Sequence, residues 1–354
     1  MNSDVLIVGG GLIGATLAWN LAKRGAAVRI LEASVWGGEA SWAGAGMLAP
    51  GGEVEAPGPA ASLCLRGREL YPAFVGELTA ATGLPIDLRL CGALETAAND
   101  AELEALTRRA EAQSAIGIPS TPVDAREMTR RVPGLDASRW AGGRFYPCDG
   151  MVDPRGIMAA LRQACLAAGV SIRENTPAAL VQGNSVLTRS GERFHAEAVV
   201  LAAGAWSTSI RLDPPRPLPR AYPVRGHLIS YRRPPGELAP LLRHGHTYLL
   251  QRSNGTLIAG ATQEDAGFDR RLDPASVEDI QLRAAALLPA LAEAEIAERW
   301  AGFRPAAEGG APAMGRVEAS PLWLAYGHFR NGILMAPAVA EELAQAITAT
   351  LGKA

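Results

Sequence analysis

Gly9, Gly11 and Gly14 stand in G-x-G-x-x-G spacing between Asp4-Val5-Leu6-Ile7-Val8, apolar from Val5 on, and an apolar helical stretch. Glu32 closes the next apolar run, residues 28–31. This pattern can cradle a dinucleotide. The first glycine turns the chain tightly, the second lets backbone approach a pyrophosphate, and the third lets helix pack on strand. The helix start then offers unpaired N–H groups and a positive dipole end to the phosphates. A carboxylate at Glu32 suits the two hydroxyls of an adenosine ribose and would repel a 2′-phosphate, which disfavours NADP. The motif alone leaves NAD and FAD open.

Two arginines lie in apolar company near the other end. Arg304 belongs to Trp300-Ala301-Gly302-Phe303-Arg304-Pro305, and Arg330 to Gly327-His328-Phe329-Arg330-Asn331-Gly332-Ile333-Leu334. A guanidinium in such a setting needs an anion. It can hold a substrate carboxylate through two parallel hydrogen bonds, or serve a structural ion pair. Taken alone, His246 and His328 read as hydrogen-bonded structural groups, and Tyr248 as a packed strand residue. Gly44-Ala45-Gly46-Met47-Leu48-Ala49-Pro50 suits either backbone passing along a flat ring, with Met47 as a polarisable cover, or a flexible loop.

The elements that must position these groups follow from periodicity and caps. Residues 63–82 read as a helix stopped by Gly83, residues 88–96 as a strand pair, and 100–116 as a solvated amphipathic helix. Asp153-Pro154 caps a helix running to Ala168, with Gly169 as its stop. Residues 170–173 and 196–202 read as strands. The second ends in Ala203-Gly204-Ala205, small enough for a ligand to approach the backbone. Residues 223–300 read as a mixed, strand-rich unit, with strands at 228–231, 247–250 and 256–259 and a hairpin turn at Asn254-Gly255. A strand at 322–326, a turn and a long helix over 331–351 follow. The expected fold is therefore α/β, a Rossmann-type dinucleotide domain (residues 1–84, 145–219 and 303–354) interleaved with a mixed-sheet α+β substrate domain (85–144 and 220–302).

Composition narrows the chemistry. The 354 residues carry a formal net charge of −2 and no basic stripe, so no nucleic-acid partner is expected. Only Lys23 and Lys353 are lysines, which leaves no interior Schiff-base lysine for pyridoxal phosphate. Cys64, Cys91, Cys148 and Cys165 show no metal-ligand or C-x-x-C spacing. They read as free thiols of a cytoplasmic protein with no metal. No signal peptide or membrane span is expected.

The chain resembles the FAD-dependent D-amino-acid oxidase superfamily, and within it the glycine-oxidase branch of bacterial thiamine biosynthesis. The runs that carry this are residues 43–50, Gly260-Ala261-Thr262-Gln263-Glu264, residues 300–305 and residues 327–334, together with the glycine motif. The resemblance implies that Arg304 holds the substrate carboxylate with help from the Tyr248 phenol, and that Met47 lines the same pocket. It implies that Leu12, Ile13, Glu32, Ala33, Ala40, Ser41, Ala45 and Gly46 border a non-covalent FAD, that Ala178 meets it through backbone, and that His328, Phe329, Arg330, Asn331, Gly332, Ile333 and Leu334 wrap the flavin. Gln263 puts a polar group where some relatives carry apolar or small residues. The implied reaction is oxidative deamination of glycine, sarcosine or D-alanine. A neutral amine gives a hydride to flavin without a side-chain base, and molecular oxygen takes the electrons to form hydrogen peroxide. The imine product would hydrolyse or feed thiazole assembly. A related dehydrogenase passing electrons to quinone and a non-catalytic nucleotide sensor remain alternatives. A flavin tethered to a cysteine in the C-terminal half is disfavoured, since no cysteine follows Cys165. A homo-oligomeric assembly is left open.

Overall fold

In the computed structural model, residues 3–353 are described. The apolar strand Ser3–Val8 lies at the centre of a parallel sheet. It pairs with Val28–Leu31 on one side and Arg193–Leu201 on the other. Ser171–Arg173 and Leu322–Tyr326 extend the parallel set. Its side chains alternate between two cores. Val5 and Ile7 pack among the helices Leu12–Lys23, Pro59–Thr82, Pro154–Ala167 and Gly332–Thr350. Leu6 and Val8 pack with Val181, Val186 and Phe194 from the antiparallel strands Ala178–Gln182, Ser185–Thr188 and the start of Arg193–Leu201. A strand covered on both faces is expected to be apolar, as this one is from Val5 to Val8.

The second sheet has eight strands in the order Ile296–Ala307, Ala221–Arg232, Thr256–Gly260, Thr247–Gln251, Leu241–His244, Ala93–Ala97, Gly142–Tyr146, Thr121–Val123. Its neighbours are antiparallel except Leu241–His244 against Ala93–Ala97. Helix Pro274–Leu287 packs its Val277, Ile280, Ala284 and Leu287 on one face. A small third sheet joins Met47–Leu48 to Gly150–Val152 and Leu88–Arg89.

Several sequence expectations change. The strand pair over 88–96 is two strands in different sheets, Leu88–Arg89 in the small one and Ala93–Ala97 in the large one. Gly92, with φ of +75°, turns the chain between them. The helix ending at Gly83 begins at Pro59, where a proline suits the first turn. The apolar run around Arg304 is part of a twelve-residue strand, paired along its length with Ala221–Arg232. Helix Pro274–Leu287, capped by Asp273, has no counterpart among the sequence expectations. Among the described residues no helix is long and apolar enough to cross a membrane.

Candidate active site

A cavity of about 500 Å³ runs from the C-terminal end of the parallel sheet to one face of the second sheet. At the nucleotide end it is bordered by Gly9, Gly11, Leu12, Ile13, Glu32, Ala33, Ala40 and Ser41. Gly9 has φ of +114°, and a Cβ there would stand 2.3 Å from the Ala202 carbonyl. The Glu32 carboxylate is fixed by the N–H groups of Gly10 (2.7 Å) and Ser34 (2.9 Å). Two helices start at this cavity, Leu12–Lys23 and Gly332–Thr350, and neither start is capped by the side chain of its own capping residue. Both therefore aim partial positive charge inward. Across from them, Ala178 and Gly204 complete the wall.

The loop 43–47 is held against the cavity from outside. Trp300 Nε1 donates to the Ala43 carbonyl at 2.9 Å. Arg252, largely buried, donates to the carbonyls of Ala45 (2.5 Å) and Val152. Ala45, Gly46 and Met47 thereby face the cavity opposite Asn331, Gly332 and Ile333.

At the far end, Arg304 and Tyr248 come from the strands Ile296–Ala307 and Thr247–Gln251, with two strands between them. Those two strands place glycines beneath them. A Cβ at Gly226 would lie 2.3 Å from an Arg304 guanidinium nitrogen, and one at Gly260 would lie 2.6 Å from the Tyr248 hydroxyl. The bare backbone lets both side chains lean inward over the sheet. Arg304 donates to the Thr262 carbonyl at 3.0 Å, and no acidic partner neutralises it among the described residues. Burial lowers its pKa, opposed chiefly by Tyr248. A guanidinium nonetheless stays charged. Burial raises the Tyr248 phenol to about 12, so it is a donor at neutral pH. His328 is fully buried and pushed down to about 4 by desolvation, so it is neutral. Its Nε2 and the Asn331 Oδ1 have no partner among the described residues.

Most residues singled out from sequence meet here: Arg304, Tyr248, Met47, the FAD-bordering set, Gly204, Ala178 and residues 328–333 all line the cavity. Two do not line it. Gly14 sits behind the wall, where a Cβ would strike the Gly9 carbonyl at 2.2 Å, so it serves helix–strand packing. Leu334 is buried in the helix core instead of wrapping the cavity, because the helical turn carries it round from Ile333. His246 and Gln263 lie exposed at the cavity wall. Sequence reasoning missed Glu53, which pairs with Arg330 at 2.8 Å, and the rim ion pair Arg270–Glu39 at 2.7 Å. An acid two residues after Pro50-Gly51 was the only available hint of Glu53.

The cavity thus joins a dinucleotide cradle to an unneutralised guanidinium. The orphaned polar atoms of His328 and Asn331 and the two helix starts at the cavity match a flavin dinucleotide. The family model for FAD dependent oxidoreductases of the D-amino-acid oxidase type matches residues 4–346, and the chain belongs to that family. It is 37% identical over 343 residues to a glycine oxidase of Geobacillus kaustophilus, covering 94% of this chain and 90% of that one. It is 36% identical to a bifunctional protein ThiO/ThiG of Synechocystis, covering 96% of this chain and 50% of the larger protein. The crystal structure of the Geobacillus glycine oxidase superposes with a TM-score of 0.93 at 34% identity, covering 98% of this chain and 95% of that one.

The cofactor is FAD. Cys64, Cys91, Cys148 and Cys165 all lie off the cavity lining. Acid precipitation of the purified protein is expected to leave all flavin in the supernatant. Flavin absorbance remaining on the washed, denatured polypeptide would contradict a non-covalent site.

Proposed function

We propose that this chain oxidises glycine and similarly small amino acids, giving imine or oxo acid, ammonia and hydrogen peroxide. The observation that carries the reading is the half-buried Arg304 guanidinium, without an acidic partner among the described residues, beside the Tyr248 phenol at the end of a cavity that begins in a dinucleotide cradle. Bound FAD would take the hydride and pass the electrons to oxygen. Arg304 would hold the substrate carboxylate with two parallel hydrogen bonds, and Tyr248 would donate a third. Fixing one end of a small substrate orients its Cα, which supplies much of the rate. Neutral His328 adds no competing charge. The N–H groups opening helix Gly332–Thr350 would stabilise negative charge developing at the adjoining edge of the cofactor. The imine would hydrolyse or supply thiazole assembly, a role supported by the relative in which a chain of this kind is joined to a second protein. Four unpaired cysteines suit a cytoplasmic setting.

These residue roles, and a division into an FAD unit (1–84, 145–219, 303–354) and a substrate unit (85–144, 220–302), belong to the same proposal. The strand sets of the two large sheets support the division, with Gly142–Tyr146 and Ile296–Ala307 crossing its limits.

Met47 and Tyr248 line the same cavity as Arg304 and would bound a small substrate there. An extra methylene changes binding by only about 1–3 kcal/mol, so selectivity should be graded. Peroxide production is expected to be most efficient with glycine and sarcosine, lower with D-alanine, and least with D-phenylalanine and L-alanine. Inverting Cα would turn its hydrogen away from the cofactor while the carboxylate stays clamped. Higher efficiency on D-phenylalanine than on glycine would overturn the assignment. Flavin reduction by glycine with no oxygen uptake would redirect it to a dehydrogenase.

A further inference from the structure

Arg304 is not the only guanidinium at the substrate end. Arg330 lines the same cavity, but its charge is already matched by Glu53 Oε1 at 2.8 Å. The Glu53 side chain is only 9% exposed, and the backbone on either side of it is anchored. Asp149 accepts the Gly51 N–H at 3.0 Å, while Gln113 donates to the carbonyls of Gly51 (2.9 Å) and Val54 (2.7 Å). The Tyr248 phenol senses four charges: Arg304, Arg330, Glu53 and Arg252. Arg252 does not line the cavity, is committed to two backbone carbonyls and stands 3.8 Å from Asp153. Of the charges that act most on Tyr248, those that line the cavity are two guanidiniums, Arg304 and Arg330, and one carboxylate, Glu53.

We infer that Glu53 sets the charge class of the substrate. By occupying Arg330, it leaves one free guanidinium, so the site accepts one carboxylate and turns away amines that bear a second anionic group. This rests on the reading of Arg304 as the carboxylate clamp. A second carboxylate entering beside Arg330 would meet the Glu53 carboxylate, an unfavourable like-charge contact where burial weakens screening. Replacing that oxygen with an amide keeps the shape and releases the Arg330 guanidinium for a second anion.

The probes are methoxyacetate and oxydiacetate, unreactive ethers that differ in one carboxylate. Each is titrated into the FAD-loaded enzyme, and the dissociation constant is read from the flavin absorption band. The wild type should bind methoxyacetate more tightly. In Glu53→Gln the ratio of the two constants should move toward oxydiacetate by about tenfold to a hundredfold, the value of one charged hydrogen bond. Adding Arg330→Met to that variant should cancel the gain. Turnover of iminodiacetate relative to glycine should rise in parallel. Glu53→Asp, which shortens the reach to Arg330, should show a smaller shift of the same sign, and it stands in if the glutamine variant does not fold. A wild type reduced by glycine, with a ratio that neither Glu53 variant moves, overturns the inference alone. A wild type that glycine does not reduce and methoxyacetate does not perturb overturns the functional reading, and the inference with it.

Discussion

The Arg304→Ala enzyme is expected to fold, to keep its FAD, and to lose at least tenfold to a hundredfold in apparent affinity for glycine. One charged hydrogen bond is worth about 1.5–3 kcal/mol, and a fork makes two. Arg304→Lys should recover only part of the loss, because a point charge lacks the planar fork. The measurement is anaerobic reduction of the flavin over a range of glycine concentrations. The FAD content of each variant is the control, since Arg304 lies in the strand Ile296–Ala307 and away from the dinucleotide cradle. Wild-type apparent affinity in a folded, flavin-replete Arg304→Ala protein would refute the clamp. So would equal performance by arginine and lysine.

The largest effect on stability is expected from Asp149→Asn. Asp149 is 1% exposed and joins Arg243 at 2.8 Å. Arg243 also stands 3.3 Å from Glu95, which holds Arg109 at 2.5 Å. Burial pushes the Asp149 carboxyl up, against the pull of Arg243 and of the Gly51 N–H. Removing this charge leaves a buried guanidinium without its nearest counter-ion, a loss of about 3–5 kcal/mol. Denaturant titration of the holoenzyme should register it. By contrast, Glu77→Gln, which removes the exposed partner of Lys23, should change stability by no more than about 1 kcal/mol. Asp149→Asn should also raise the apparent KM, because an amide offers one acceptor oxygen to two donors, Arg243 and the Gly51 N–H, and so holds the segment bearing Glu53 less firmly.

These cases show why some of the site could be read from the sequence and some could not. The dinucleotide cradle is local: Gly9, Gly11, Gly14 and Glu32 meet their requirement within one strand–helix–strand unit, and the spacing records it. Arg304 was conspicuous as a charge in an apolar run. The feature that lets it lean inward is Gly226 on the neighbouring strand, a pairing that only the register discloses. Glu53 had only its place just after Pro50-Gly51 to mark it. Its placement depends on Asp149, 98 residues beyond Gly51, and on Gln113, 62 residues beyond it. Residues 88–96 read as a strand pair because sequence gives proximity along the chain and not the partner across it. Leu334 was drawn into the flavin-wrapping run because the run is continuous in sequence. In the helix, its side chain points elsewhere from that of Ile333.

The order of the strands in the first sheet bears on how the molecule is made. Ser3–Val8 has its partner in Arg193–Leu201, and that strand has its own in Leu322–Tyr326. The helix start that closes the cavity, at Gly332, comes later still. At roughly 5–20 residues per second of synthesis, the glycine motif leaves the ribosome on the order of 15–60 s before the last wall of its own cavity. During that interval the apolar strand Ser3–Val8 has an open edge, and unpaired strand edges invite aggregation. Tight retention of flavin must therefore wait for the helix start at Gly332, and a cell starved of the cofactor should accumulate a folded but less stable polypeptide.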